Sequence, residues 1–368
     1  MTPYVFMIIV WLIAFYFLQY RTDHLSEKGK LLRRKAFIWI CATALFVIMG
    51  FRHPEVGIDT PRYLMRYYSS AYYDWTAFLQ WDIWLEKELG FTLVGKILYS
   101  LGIPGEIYLM LYGLFITICI SRLINKWCKN PFWGFYLHTT IGLFTMSMSG
   151  IRQSIACCIC WFATDYILKK KPIRFALLVL LAATFHQSAI FYLAFYFVRK
   201  IKITKSSGWI IWLICLSFVF LRPVFVVLLN HLMPQKYNIY GMISDKNPIN
   251  PLLVVISLLI PMFCLFFWER KKIFTEEETE EYSLCFFGSF LYALITIMSL
   301  SSNMIGRMSQ YFYIFKVALL GNIITDIKDY KTRYIAILFT ILLPGYMFFK
   351  SQSLGISPYY FFWQIYGE

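Results

Sequence analysis

The chain alternates long apolar runs with short polar breaks, most of them basic. An α-helix rises 1.5 Å per residue, so about 20 mostly apolar residues cross the hydrocarbon core of a bilayer. By that measure residues 3–20, 36–51, 105–122, 131–149, 151–168, 208–229, 251–268, 282–300, 307–325 and 334–349 read as membrane helices. Lys and Arg in short loops mark the cytoplasmic side. They cluster in loops 21–35, 169–174, 199–207 and 269–281, which leaves segments 52–104 and 230–250 outside. The run 91–103, "FTLVGKILYSLGI", is too short to span and contains Lys96. If it crossed, the basic "RLINKWCK" (122–129) would land outside, so it reads as an outside or re-entrant helix. The run 173–198 has basic groups at both ends, "KKKPIR" and "RKIK". About 26 residues cannot cross twice at 1.5 Å each. The pattern predicts a short hairpin with "TFHQSA" (184–189) at its apex. The fold expected is an all-α polytopic membrane protein, one integral membrane domain over 1–368 with about 11–12 membrane segments. Strand-type alternation is absent, which argues against a barrel.

Composition agrees: 59% apolar, 20% aromatic and 15% charged residues leave little polar surface. The net charge of +15 would point to nucleic acid in a soluble protein. Here the basic residues sit in short loops between apolar runs and report topology, so nucleic acid is not expected as a partner. The nine Cys lie almost all inside apolar runs, and "CCIC" (157–160) lacks zinc-type spacing. They read as small apolar residues, with neither metal nor disulfide roles. The first run has its basic residues after it rather than before it, so it reads as a retained span and not as a cleaved signal.

The expected topology gathers unusual polar residues on one side. Arg52, Asp59, Arg62, Arg152, Gln153, Arg307 and Gln310 fall on or near the outer face, and His186 sits at the hairpin apex pointing the same way. Arg152 and Arg307 share a local design. Each is expected in the first turns of a helix, after small polar residues suited to capping: Ser147, Ser149 and Gly150 before one, Ser301, Ser302 and Asn303 before the other. A helix N-terminus offers free N–H groups and a positive dipole end to an anion. Arg adds a planar fork that grips phosphate oxygens. The bland alternative is that each Arg snorkels to the interface or pairs with Glu55, Asp59 or a backbone carbonyl. Asp59, between Arg52 and Arg62, reads as a general base or an acceptor for a sugar hydroxyl, or as a helix N-cap before Pro61. His186 reads as a base working near neutrality or as a core His bonded to a backbone carbonyl. Tyr63, Tyr67, Tyr68, Trp75, Trp81 and Trp84 read as sugar-stacking rings or as interfacial anchors. No nucleotide-binding loop, metal-ligand cluster or nucleophile elbow is present, so any catalysis draws on energy already in the substrate.

Three blocks carry a family resemblance. "FRHPEVGIDTPRYLMRYY" (51–68), the stretch from "SGIRQS" to "FHQSAIFYLAFYF" (149–197) and "IGRMSQYF" (305–312) resemble the EpsG-like branch of the Wzy-type polysaccharide polymerases. The matching positions are Arg52, Gly57, Asp59, Tyr63, Arg152, Gln153, His186, Ser188, Arg307 and Tyr311. The resemblance implies a bacterial inner-membrane glycosyltransferase with a fold related to the GT-C enzymes. It would join undecaprenyl-diphosphate-linked repeat units of O-antigen, capsule or exopolysaccharide on the outer side, with no nucleotide sugar, cofactor or metal. In that role His186, Asp59, Arg152 and Arg307 would be catalytic. Arg52, Arg62, Tyr63, Gln153, Ser188, Gln310 and Tyr311 would hold diphosphate or sugar. Implied partners are the lipid-linked oligosaccharide, the bilayer, a chain-length regulator and a repeat-unit flippase. The alternatives are an O-antigen ligase-like transferase, which differs in acceptor, and a lipid-linked oligosaccharide flippase. A flippase should carry charge along a continuous path, whereas these Arg gather on one side.

Overall fold

The computed structural model describes residues 2–20, 22, 24–72, 74–78, 88–141, 143–201, 203–221, 223–224, 227, 251–268, 276–299, 303–350 and 355–365. The expected loop 230–250, most of 269–281, Trp81, Trp84 and the capping candidates Ser301 and Ser302 lie outside the described residues. Every regular element among the described residues is helical.

Helix α1 (Thr2–Leu18) follows the first apolar run. Helix α2 (Glu27–Gly50) starts well before its run at 36, because Ser26 caps it and Glu27 sits at its positive end. Arg34, expected in a cytoplasmic loop, is thus helical and donates to the carbonyls of Asn125, Cys128 and Lys129. These carbonyls lie at the end of helix α5 (Gly105–Trp127), where a cation suits the dipole. Between them come α3 (Thr60–Tyr68) and α4 (Leu89–Ser100). Helix α4 is 12 residues, about 18 Å long, and its Lys96 is buried with Nζ donating to the Ser70 carbonyl at 2.8 Å.

The run 131–149 divides into α6 (Pro131–Thr140) and α7 (Leu143–Ser149), followed by α8 (Ile151–Leu168). The expected hairpin consists of α9 (Pro172–Phe185) and a 3-10 helix, Gln187–Lys200, with His186 at the break. Phe175 on the first leg meets Tyr192 and Tyr196 on the second, at 6.0 and 5.4 Å between ring centroids, so the legs fold back on each other. The second leg is longer than α-helical arithmetic allows. A 3-10 helix rises about 2.0 Å per residue, so 14 residues reach about 28 Å rather than about 21 Å.

The later helices are α10 (Lys205–Phe220), α11 (Pro251–Trp268), α12 (Glu276–Met298), α13 (Asn303–Ser309), α14 (Tyr313–Asp326) and α15 (Tyr330–Lys350). Among the described residues three helical stretches are long and apolar enough to cross a membrane: Gly105–Trp127, Glu280–Met298 and Tyr330–Lys350. Shorter apolar helices make up most of the rest. On α15 the exposed residues Ile335, Phe339, Leu342 and Tyr346 recur at helical spacing, an apolar stripe of the kind lipid covers.

The chain forms two compact units. One comprises Met1–Ala163, Ala176–Ile190 and Ile335–Glu368, and the other Thr164–Phe175 and Phe191–Tyr334. The first has a core of edge-on aromatics, with the Tyr4 ring 5.7, 5.8 and 5.4 Å from Phe144, Phe348 and Tyr359. The second packs α12 against α14. Gly288 lets the Phe315 ring approach the α12 backbone, and the Lys316 ammonium lies 3.6 Å from the Tyr292 ring centroid.

Candidate active site

The site lies within the first unit, where two glycines bring four segments together. Gly57 has φ of +100°, and a Cβ there would stand 2.6 Å from the Met148 carbonyl oxygen. This close approach lets the Thr60 hydroxyl donate to Met148 at 3.3 Å and the Asp59 amide donate to the Ser149 hydroxyl at 3.2 Å. Helix α3 is thereby fixed beside the start of α8, and the Tyr63 ring centre comes 5.5 Å from the Arg152 guanidinium. Gly90 performs the same task for α4. A Cβ on it would strike the Thr184 hydroxyl and come within 3.1 Å of the Phe185 ring. The start of α4 therefore packs directly against the chain just before His186.

That contact delivers a residue to which sequence reading gave no role. Glu88, immediately before α4, places Oε2 2.5 Å from Arg152 Nη1 and Oε1 2.5 Å from His186 Nδ1. The three side chains are 11%, 30% and 16% exposed, in the order Glu88, Arg152, His186, so the cluster is mostly shielded yet reachable. Burial pushes the Glu88 carboxyl up, but the bond from His186, the charges of His186 and Arg152 and the Gln187 amide outweigh it and hold the carboxyl below its ordinary value. A carboxylate at Nδ1 also selects the imidazole tautomer with its hydrogen there, which leaves the Nε2 lone pair available.

Arg152 stands at the second residue of α8, as expected. Its guanidinium lies over the Tyr63 ring and 6.0 Å from the Phe91 ring centre. The Tyr63 hydroxyl is pushed up, chiefly by burial, with Arg152 pulling the other way. One turn further along the same helix pair, Arg66 donates to the Thr92 hydroxyl at 2.5 Å. Burial and then the neighbouring Arg152 lower the Arg66 guanidinium. Arg66 too had no role in the sequence reading. With Arg66 and Arg152 close to one carboxylate, the cluster attracts anions.

The other expected residues fall as follows. Asp59 occupies the N-cap position of α3 without a side-chain cap bond, and its carboxylate is 4.0 Å from the exposed Arg62, a weak surface pair. Arg52 is 2% exposed. It donates to the Met49 carbonyl, and Nε and Nη2 find no hydrogen-bond partner. The C-terminal tail runs over it, since the His53 amide donates to Tyr360 and the Phe362 amide to Phe51. Burial lowers the Arg52 guanidinium to about 10, so it stays charged near neutrality. Gln153 is buried one residue after Arg152, and Ser188 is half-buried two residues after His186. Tyr67 is committed to packing, stacked 4.1 Å from Tyr108 with its hydroxyl donating to Ile103 at 2.5 Å. Tyr68 is exposed, and its hydroxyl accepts the Gly105 amide at 3.1 Å. Exposed Trp75 lies under the Lys96 ammonium at 5.7 Å. Of the caps expected before Arg152, Ser147 donates to the Leu143 carbonyl and Ser149 accepts the Asp59 amide.

Arg307, Gln310 and Tyr311 belong to the other unit. Arg307 is exposed in the last turn of the seven-residue α13, not in the first turn of a long helix. Gly306 weakens the helix there, and the Ser309 hydroxyl donates to the Gly306 carbonyl. A 3-10 turn, Gln310–Phe312, then separates α13 from α14. Gln310 is half-buried, and Tyr311 is buried with its ring 6.3 Å from Tyr192.

Among the described residues no three His, Cys, Asp or Glu side chains converge to hold a metal. The arrangement provides an oriented imidazole, a carboxylate behind it and a positively charged flank. That equipment suits removing a proton from a hydroxyl beside an anionic group. No curated protein and no solved structure matches the chain. The sequence model described as the EpsG family matches residues 35–361 of the 368. That span contains all four segments of the cluster, and the chain belongs to the EpsG family, whose role is broadly that of a polysaccharide polymerase.

Proposed function

We propose that the protein is a membrane glycosyltransferase that polymerises oligosaccharide repeat units carried on undecaprenyl diphosphate. A hydroxyl of the acceptor repeat attacks the anomeric carbon of the donor. The new C–O bond forms as the bond to the diphosphate breaks. The hydroxyl proton passes to His186 Nε2, and undecaprenyl diphosphate leaves with the bonding electron pair. Arg152 and Arg66 hold the diphosphate and offset the charge that grows on it, while Arg52, 2% exposed beneath the C-terminal tail, keeps its substrate-binding assignment on family resemblance alone. The observation that carries the reading is the Glu88–His186 contact beside Arg152, an oriented base next to an anion-binding group. Asp59 faces exposed Arg62 and is the weaker candidate for the base. It serves better as an acceptor for a sugar hydroxyl, beside Tyr63, Gln153 and Ser188. Arg307 keeps its catalytic assignment, and Gln310 and Tyr311 their substrate-binding one, on residue type and family resemblance alone. The diphosphate is already a good leaving group, so no nucleotide sugar is needed. The site faces outside, where basic-loop counting places segment 52–104 and the hairpin apex. The chain is thus a multi-pass protein of the bacterial inner membrane, working with a repeat-unit flippase and a chain-length regulator.

The test is polymerisation by the purified full chain in lipid, supplied with the lipid-linked repeats that accumulate in a strain lacking the gene. Wild type should yield a ladder of products, and His186→Ala should leave single repeats. A wild type that moves repeats across a vesicle membrane without lengthening them would establish a flippase. Transfer only to a different acceptor would establish a ligase. A His186→Ala ladder like that of wild type would remove His186 from the chemistry.

A further inference from the structure

We propose that Glu88 is a positioning residue that couples donor binding to the base: it yields Arg152 to the incoming diphosphate and keeps His186. The inference rests on the functional reading above. Its starting point is that the two oxygens of one carboxylate are each committed to a different partner, the Arg152 guanidinium and the His186 imidazole, at the same 2.5 Å. Glu88 therefore occupies, in the resting protein, the anion seat that Arg152 provides at the start of α8. Arg152 is the most exposed of the three, so an arriving anion meets its guanidinium first.

A diphosphate carries more charge than a carboxylate and presents several oxygens to the fork. It displaces Glu88 from Arg152. Glu88 cannot follow, because the Gly90 contact with Thr184 and Phe185 holds the start of α4 against the hairpin beside His186. Arg66 and Thr92, one turn further on, tie α3 to α4 and keep the frame in place. Once Arg152 is taken, the Glu88 charge serves His186 alone. It then stabilises the imidazolium that forms when Nε2 accepts the proton. The base gains strength when the donor is seated and not before, which limits loss of donor to water.

The test separates binding from turnover. Glu88→Gln removes the charge that competes for Arg152 and the charge that supports His186. Binding of undecaprenyl diphosphate to the full-length variant in lipid nanodiscs should tighten several-fold. Elongation of lipid-linked repeats at saturating donor should fall on the order of 100-fold. A residue with a merely structural role loses both, so the opposite signs are the signature. Glu88→Asp keeps the charge but is one methylene shorter and cannot span both partners. It should bind the diphosphate more tightly than wild type and elongate at a reduced but measurable rate, and it decides the matter if Glu88→Gln does not fold. A wild type that neither binds undecaprenyl diphosphate nor elongates repeats overturns the functional reading and the inference together. An active wild type, with Glu88 variants that bind the diphosphate no tighter or elongate at the wild-type rate, overturns the inference alone.

Discussion

Replacing Arg152 by Lys keeps the charge and removes the fork, which makes it a direct test of the anion site. The guanidinium donates to Glu88 at 2.5 Å, lies 5.5 Å from the Tyr63 ring centre and is 30% exposed. An ammonium is a point charge and cannot hold two oxygens of a diphosphate in one plane. The variant should lose one charge-assisted hydrogen bond to the reacting diphosphate, about 1.5–3 kcal/mol. In kcat/KM that is roughly 10- to 150-fold. Stability should change little, because the ammonium still faces the Glu88 carboxylate. Arg152→Ala would instead leave Glu88 with His186 alone, and because the pair is only part-buried the loss falls short of what breaking a fully buried pair costs, about 3–5 kcal/mol. The assay is elongation of lipid-linked repeats by both variants, beside thermal melting in detergent. A lysine variant with kcat/KM within twofold of wild type would refute the anion-binding role. A lysine variant that melts as early as the alanine variant would show that Arg152 serves folding.

Three further outcomes are expected. Gly90→Ala should cost about 1–3 kcal/mol of stability by overpacking against Thr184 and Phe185, and should slow elongation by moving Glu88 off His186; melting and elongation both at wild-type level would contradict the close-approach argument. Because the Glu88 carboxyl is held below its ordinary 4.5, its stabilising effect is complete above about that pH and is lost as pH falls through the folded-state value. The melting difference between wild type and Glu88→Gln should therefore shrink on going from pH 6 to below pH 4, and a difference that grows would reverse the sign of the interaction. The nine native Cys are buried, so Glu55→Cys should react with a membrane-impermeant maleimide on intact spheroplasts over a low background; labelling only after permeabilisation would invert the topology.

Much of the architecture is legible along the chain because it depends on local free energy. A helix that must satisfy its own backbone in lipid shows itself as an apolar run of fixed length. The hairpin shows itself because basic residues flank both ends of a run too short to cross twice. His186 at its apex and Arg152 at the start of α8 follow from the same reasoning. Local reading falls short where small residues reset the winding. Gly306 and Ser309 end α13 beside Arg307, and 3-10 winding lengthens the second leg of the hairpin.

The sequence by itself determined a helical membrane protein, its family, and an Arg and a His of unusual placement. Tertiary structure alone decided which groups they meet. Glu88 lies 64 residues from Arg152 and 98 from His186, and no periodicity links such positions. The link arises because Gly90 has no side chain where α4 crosses the hairpin, and Gly57 none where α3 meets α7. Those absences let backbones approach closely, and close approach turns a loop carboxylate into the partner of a base. The pairing is a property of packing between helices, and packing is settled only when all of them are in place.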